Sequence, residues 1–416
     1  MKRQDSNTGG PAQYPPKVLM LLTNAYDPDP RVRQAALALT DMGCSVRILA
    51  WDRDFKAPAS ECIEGVDVER VYLASKHGRG TAQLLFYALL YLKLFWRGLR
   101  TPFDAVHCHD LDTLPVGFLL GKLKRTTVVY DAHESFPDMI AGNVHPAVCR
   151  ALTWLETVLI RRTDLLITVG EKLRAQFAGR GAKRSVVVGN WKRLADFERT
   201  DEQKAAVRRR LGIPDDALAV ACITNLLPDR KLQELMDAVD GSPGVYAIVG
   251  GEGVLRREIE ERAARNPRIL YVGFVKGSDI PDYTCAADVI YYGFDERNGN
   301  ARYSAPNKLF EALAAGRPLI TGDFGEIAEV VREARCGVVL PAYTPVEIRK
   351  AFAQMQDLPS WRAAAERAQR YGRTTMNWQK AEEILCREYS LLLGRSLGTA
   401  AATPGDRHAC ASTTEG

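Results

Sequence analysis

Short apolar runs separated by helix-length stretches constrain this chain more than any other feature. From residue 17 the runs are KVLMLL, SVRILAW, DAVHCH, TTVVYDAH, LLITVG and SVVVGN. After a charged stretch at 191–214, read as irregular, they resume as LAVACITN, VYAIVG, ILYVGF, DVIYYG, PLITGD and GVVL. Strands apolar on both faces and joined by helices belong to parallel sheets with helices on each side. The pattern runs twice, so the expected fold is α/β with two doubly wound domains, at 17–195 and 215–375, facing each other across a cleft. A length of 416 residues suits two such units. A helix at 376–394 is expected to return to the first domain, and the polar segments 1–16 and 396–416 read as disordered tails. Ligands of doubly wound sheets bind beyond the carboxyl ends of the strands, which points to the cleft.

Composition narrows the class further. Hydrophobic residues make up 46% and charged residues 26%, the balance of a folded soluble chain. A net charge of +5 is modest at this length and does not argue for nucleic acid. Residues 76–125 nevertheless carry a basic excess, with Lys93, Arg97, Arg100, Lys122, Lys124 and Arg125 among its members. The nine cysteines show no CxxC pair or metal spacing, and buried reduced thiols are expected. No apolar signal-peptide core opens the chain, so a cytoplasmic location is expected.

One helix departs from a soluble surface pattern. TAQLLFYALLYLKLFWR, residues 81–97, is apolar on nearly every side and ends among arginines. Its apolar length falls short of the ~20 residues of a membrane-spanning helix. Two readings stand. The helix lies in a membrane interface, with Phe86, Leu90 and Trp96 as contacts, or it is a core helix between domains.

Two strand ends in the first half carry chemistry. In HCHD, His107 and His109 are two apart and point the same way along a strand, and Asp110 turns into the loop. DAHE brings His133 and Glu134 to a similar height if the two strands are neighbours. A metal site, a set of satisfied structural histidines, and a substrate-contacting histidine are all compatible with this pattern.

In the second half, cations crowd two helix starts. ITNLLPDRKLQEL places Asp229, Arg230 and Lys231 where a helix begins, and SAPNKLFEALAAGRPLI places Lys308 in a first turn, with Pro306 at the first helical position and Gly316 as the stop. The helix dipole disfavours a cation there by roughly 0.3–1 kcal/mol unless an anion docks on the free N–H groups. One polyanion shared by the two helix starts resolves both cases, with solvated charge as the alternative. Removing either charge is then expected to cost the free protein little. Asn307 and Glu311 share one face of the second helix. VGGEG, with Gly251 and Gly253, is a strand-to-helix turn without full GxGxxG spacing.

Over residues 17–394 these motifs resemble the retaining glycosyltransferases of family 4, which have the GT-B fold. The resemblance is carried by DPDPRVRQAALALTDMGCSV, DAVHCHD, VVYDAHESFPDM, RRTDLLITVGEKLRAQF, GGEGVLR, DYTCAADVIYYG and above all SAPNKLFEALAAGRPLI. It implies that His109 lies against the donor sugar, that Arg230 and Lys308 hold the diphosphate of a nucleotide-sugar, and that Glu311 binds the ribose. It implies a donor-binding set of Gly251, Gly253, Val275, Lys231, Tyr303, Pro306, Asn307, Lys308 and Glu311, with Asp110, His133 and Glu134 lining the acceptor side. It also implies transfer from a UDP- or GDP-linked sugar to a glycan or lipid-linked acceptor at the inner face of the membrane, without a metal or other cofactor, in polysaccharide or glycoconjugate synthesis. Two positions depart from the family pattern. Asn225 stands where many members have arginine, and Tyr303 stands at the first glutamate of Glu-x7-Glu, leaving Asp295 or Glu296 as substitutes. A sugar-nucleotide 2-epimerase and a non-catalytic nucleotide-sugar-binding subunit are the alternative readings.

Overall fold

The computed structural model describes residues 14–26, 29–74, 82–142, 144–295, 303 and 305–398. Eight strands form the first sheet: β1 (Lys17–Leu22), β2 (Ser45–Asp52), β3 (Ser60–Ile63), β4 (Val66–Tyr72), β5 (Ala105–His109), β6 (Thr127–Ala132), β7 (Leu165–Thr168) and β8 (Ser185–Val187). Their spatial order is β3-β4-β2-β1-β5-β6-β7-β8, parallel throughout except for β3 at one edge. Six parallel strands form the second: β9 (Leu218–Ile223), β10 (Val245–Gly250), β11 (Ile269–Tyr271), β12 (Val289–Tyr292), β13 (Leu319–Gly322) and β14 (Gly337–Leu340), in the order β11-β10-β9-β12-β13-β14. Both sheets are doubly wound. The direction of winding reverses at β1 in the first and at β9 in the second, the positions at which such sheets open a ligand crevice.

The β3–β4 hairpin is absent from the apolar-run reading, because its strands alternate instead of running apolar. Its turn is Glu64–Gly65, both with positive φ of 52° and 85°, which suits a tight hairpin. The stretch read as irregular holds a helix, Asp201–Arg210, opened by a capping box between Thr200 and Gln203. The last long helix, Trp378–Leu393, lies against the first sheet, where the Tyr389 hydroxyl meets His107 Nδ1 at 2.7 Å.

The helix after β4 runs from Ala82 to Arg100. Leu90 and Leu94 are fully buried in the core, so Leu90 is not a membrane contact. Leucines and aromatics lie on both sides of this helix, and packing on the sheet chose the Leu90 side. Phe86 is half-buried, and Leu92 and Trp96 on the other side are exposed. Among the described residues no helix is long and apolar enough to cross a membrane. Seven described cysteines are free thiols, most of them buried, as expected, but Cys62 is disulfide-bonded.

Candidate active site

The register of β5 on β6 sets His109 opposite Asp131. Side chains two apart on a strand share a face, and the His107 and His109 rings accordingly stack with centroids 4.4 Å apart. His133, just past the end of β6, brings its Nε2 to 3.2 Å from His109 Nδ1 and its Nδ1 to 3.2 Å from Asp110 Oδ2. Asp110 holds this place with a left-handed φ of 61°, and its Oδ1 accepts from the His133 backbone N–H at 2.9 Å. Glu134 is half-buried at the same turn.

Beneath the histidines, the Asp131 carboxylate is gripped by the Arg31 guanidinium at 2.5 Å, and both groups are buried. Burial opposes ionisation of Asp131, but Arg31 and then His133 overcome it and hold the carboxyl well below its ordinary range. Burial likewise opposes charge on His133, and Asp110 and Asp131 reverse the balance, raising it to about 10. Burial and the neighbouring His107 push His109 the other way, well below the ordinary histidine value. A protonated His133 donates to His109 Nδ1, which leaves the His109 proton on Nε2. That buried Nε2 has no hydrogen-bond partner among the described residues. Asp112 accepts from the Thr23 hydroxyl at 2.5 Å and is raised to about 7 by burial and by Asp110.

His107, His109 and Asp131 offer ligand atoms within 4.8 Å of one another, a spacing compatible with a metal. The charge environment opposes one. Arg31 already occupies Asp131 Oδ1, and a dication would sit beside both that guanidinium and the His133 imidazolium.

The second half of the site stands at the carboxyl ends of β9 and β12. Arg230 closes a short 3-10 turn, Pro228–Arg230, and so precedes the helix Leu232–Asp240 instead of opening it. Lys231 is the N-cap, in left-handed conformation with φ 54°, a backbone region that favours glycine. The Arg230 guanidinium lies over the Phe294 ring at 4.4 Å, and its polar partners among the described residues are long contacts, Tyr292 Oη at 3.5 Å and Asp229 at 3.6 Å. Its Nε is buried without a hydrogen-bond partner among the described residues. Gly251 and Gly253, with φ of 135° and 156°, let this turn approach the neighbouring loop; a Cβ there would come within 1.8 Å of the Thr224 carbonyl oxygen and 2.3 Å of that of Leu226. Val275 packs over Gly250 beside them.

The helix Asn307–Ala315 begins one residue later than its sequence suggests, with Pro306 as N-cap, and Gly316 stops it in left-handed conformation. Lys308 is not waiting for an anion in the free protein. Its ammonium is ion-paired with the Glu311 carboxylate one turn on, and both are largely buried. Tyr303 is half-buried ahead of this helix; Glu296 lies outside the described residues.

Contacts across the cleft set the two halves face to face. Glu326 is buried and accepts from the backbone N–H of Glu171 and of Lys172, at 3.0 and 3.1 Å, capping the helix Glu171–Gly179 that follows β7. Lys172 pairs with Glu329 at 2.9 Å, and Lys192 Nζ donates to Asn307 Oδ1 at 2.8 Å. Sequence reasoning passed over Arg31, Asp131, Lys192 and Glu326. Arg31 was open to discovery by the argument used for Lys308, since it too is a cation in a first turn, of the helix Pro30–Asp41. Asp131 opens DAHE two residues before His133 and was open to the two-residue repeat used for His107 and His109; no local signal marks Lys192 or Glu326.

The chain is similar to known proteins over most of its length. Residues 28–191 match the family described as Glycosyl transferase 4-like domain, and residues 221–357 match Glycosyl transferases group 1. A glycosyltransferase of Methanocaldococcus jannaschii is 23% identical over 340 residues, 78% of this chain and 82% of that protein. Sucrose-phosphate synthase from Thermosynechococcus elongatus superposes with a TM-score of 0.75 at 17% identity, covering 91% of this chain and 99% of its own. Anabaena HepE in complex with UDP-glucose gives a TM-score of 0.67 at 16% identity, covering 90% and 99%.

Proposed function

Because the chain belongs to the GT4-type glycosyltransferases of the GT-B fold, we propose that it transfers a hexose, with retention, from a UDP- or GDP-linked donor to a glycan or lipid-linked acceptor at the inner face of a membrane. The observation that carries the donor half is the Arg230 guanidinium, set over Phe294 at the carboxyl end of the second sheet and short of strong polar partners among the described residues. A solved relative in complex with UDP-glucose supports the same choice of ligand class. Arg230 and the N-terminus of the helix Asn307–Ala315 hold the diphosphate, with Lys308 and Lys231 adding positive charge. Glu311 meets the ribose. Gly251, Gly253, Val275, Tyr303, Pro306 and Asn307 complete the donor side. His109 presents its free Nε2–H to the donor sugar, and Asp110, His133 and Glu134 line the acceptor side.

In the reaction the bond from the anomeric carbon to the β-phosphate oxygen breaks, and the acceptor oxygen bonds the same carbon on the same face. The acceptor proton passes to the leaving phosphate. Asp131 and Asp110 are already committed to Arg31 and His133, so a front-face displacement suits the site better than a carboxylate nucleophile. Cations fixed around the diphosphate stabilise the charge that grows there as the bond breaks.

The test is thermal stabilisation by a panel of nucleotide-sugars, followed by transfer assays with the stabilising donor. A donor present at 100 times its Kd is expected to raise stability by about 2.7 kcal/mol. Activity is expected to survive exhaustive chelation. Stabilisation by none of the panel rejects the reading, and activity that depends on a tightly bound metal rejects its metal-free form.

The membrane half of the proposal rests on three helices. Ala82–Arg100 packs on Leu114–Lys124, which packs on Pro146–Ile160. Together they expose Leu92, Trp96, Leu119, Leu123 and Trp154, the last at 66%. Arg100, Lys122, Arg125, Arg150, Arg161 and Arg162 stand exposed along the same helices and their ends. Aromatic and leucine side chains among arginine and lysine suit an anionic lipid surface. Replacing Leu92, Trp96 and Trp154 by serine is expected to lower partition onto phosphatidylserine vesicles at least about 10-fold, because each buried side chain contributes roughly 1.5–3 kcal/mol. The melting temperature should hardly change. Unaltered vesicle binding rejects the lipid surface.

A further inference from the structure

The segment after β8 reaches the donor side from the opposite domain, and its geometry is set on several sides. Arg31 donates to the Val188 carbonyl at 2.8 Å and to Asn190 Oδ1 at 3.3 Å. The Lys192 carbonyl accepts from the Trp378 N–H at 3.0 Å, where the chain crosses back from the second domain to the first. Arg193 pairs with Glu382 on that returning helix at 2.7 Å. Lys192 is thereby anchored by its backbone, and its ammonium is presented to the head of the helix Asn307–Ala315.

The charge there is unbalanced. Lys192 Nζ has one hydrogen bond, to Asn307 Oδ1, and no carboxylate within ion-pairing distance among the described residues. The nearby Glu311 is already taken by Lys308. Among the described residues, two ammonium groups and the positive end of a nine-residue helix therefore have one ion-paired carboxylate, Glu311, between them, with Asp196 acting from beyond pairing distance. Burial disfavours the Lys192 charge and Lys308 opposes it further, while Glu311 and Asp196 act the other way; the net direction is downward from the ordinary lysine value. A desolvated ammonium with spare N–H donors is stabilised by an anion that brings its own negative charge.

We propose that Lys192 is a donor-binding residue supplied by the first domain, its ammonium contacting the nucleoside diphosphate at the head of the helix Asn307–Ala315, so that the donor bridges the two domains. This rests on the donor reading above. It differs from a purely structural role in what it predicts, because Lys192 then recognises the diphosphate and not the nucleoside.

The experiment is calorimetric titration of the full-length protein with UDP and uridine, and with GDP and guanosine, for wild type, Lys192→Met and Lys192→Arg. Methionine retains the apolar stem and removes the charge. Lys192→Met is expected to weaken binding of the preferred diphosphate about 10–100-fold and to leave its nucleoside within about 2-fold. Lys192→Arg should recover most of the diphosphate affinity. Equal loss for diphosphate and nucleoside, or unchanged diphosphate binding in Lys192→Met, overturns the assignment of Lys192 alone. Wild-type protein that binds neither diphosphate overturns the donor reading itself, a distinguishable result.

Discussion

Arg230→Ala is expected to lower kcat/KM by about 10–150-fold while hardly changing the melting temperature, whereas Lys308→Ala should lose both activity and stability. Sequence reasoning placed the two cations on the same footing and expected removal of either to cost the free protein little. The structure separates them. Arg230 stacks on Phe294, and its one ion pair among the described residues is a long one, 3.6 Å to the part-exposed Asp229, so its removal leaves no fully buried charge unpaired. A charge-assisted contact to the diphosphate contributes roughly 1.5–3 kcal/mol, the source of the expected factor in rate. The loss should fall more on kcat than on donor affinity, since charge on the leaving group grows in the transition state. Removing Lys308 instead leaves Glu311 buried without its ion-pair partner, at a cost of up to about 3–5 kcal/mol. Glu311→Gln should weaken nucleotide binding with less effect on kcat, because a ribose contact persists from ground state to transition state. The measurements are steady-state kinetics and thermal unfolding of the three variants. Wild-type kcat/KM in Arg230→Ala would make that cation surface decoration.

Asp131→Asn is expected to destabilise the protein by about 3–5 kcal/mol and to abolish activity. Asp131 is the hub where Arg31, His107, His109 and His133 converge, with Oδ1 on Arg31 at 2.5 Å and Oδ2 at 3.5 to 3.7 Å from the three imidazoles. An amide there leaves the Arg31 guanidinium buried without its counter-charge, which is the expensive half of breaking a buried pair. The double variant Asp131→Asn with Arg31→Met should recover part of that stability, because it removes the orphaned charge. Additive losses in the cycle would mean that the two groups are not coupled. The pH dependence has a definite sign. A carboxyl depressed in the folded state contributes stability above its unfolded value of 3.8, lost as pH falls through the lower folded value. Wild-type protein should therefore lose this contribution only below the ordinary carboxylate range, and Asp131→Asn should lack that acid limb. His133, raised to about 10, contributes stability that is fully present below the ordinary histidine value and lost as pH rises through about 10.

Much of the second half of the site is legible in the sequence. SAPNKLFE followed by Gly316 marks a helix start and stop through local chemistry, and the stop falls where it was read, with the start shifted by one residue. VGGEG was legible as a tight turn, and the reason for its glycines is a close approach of backbones at Thr224 and Leu226. His107 and His109 on one strand face followed from the two-residue repeat alone. Which carboxylate serves them did not. Asp131 lies on another strand, and its partner Arg31 is 100 residues away in the chain.

The two doubly wound sheets follow from local sequence, because apolar periodicity and turn chemistry act over a few residues and repeat along the chain. Local sequence also sets where cations meet helix starts. What those cations face is set by packing: Arg31 finds Asp131, Lys308 finds Glu311, and Arg230 stacks on a ring. Packing also decides that Leu90 lies in the core while Leu92 and Trp96 face outward, and that Lys192 crosses 115 residues of chain to reach Asn307. The physical reason is range. Secondary structure follows from interactions between near neighbours in sequence, whereas charge pairing and the choice of a buried helix face follow from packing between elements whose separation along the chain carries no local mark.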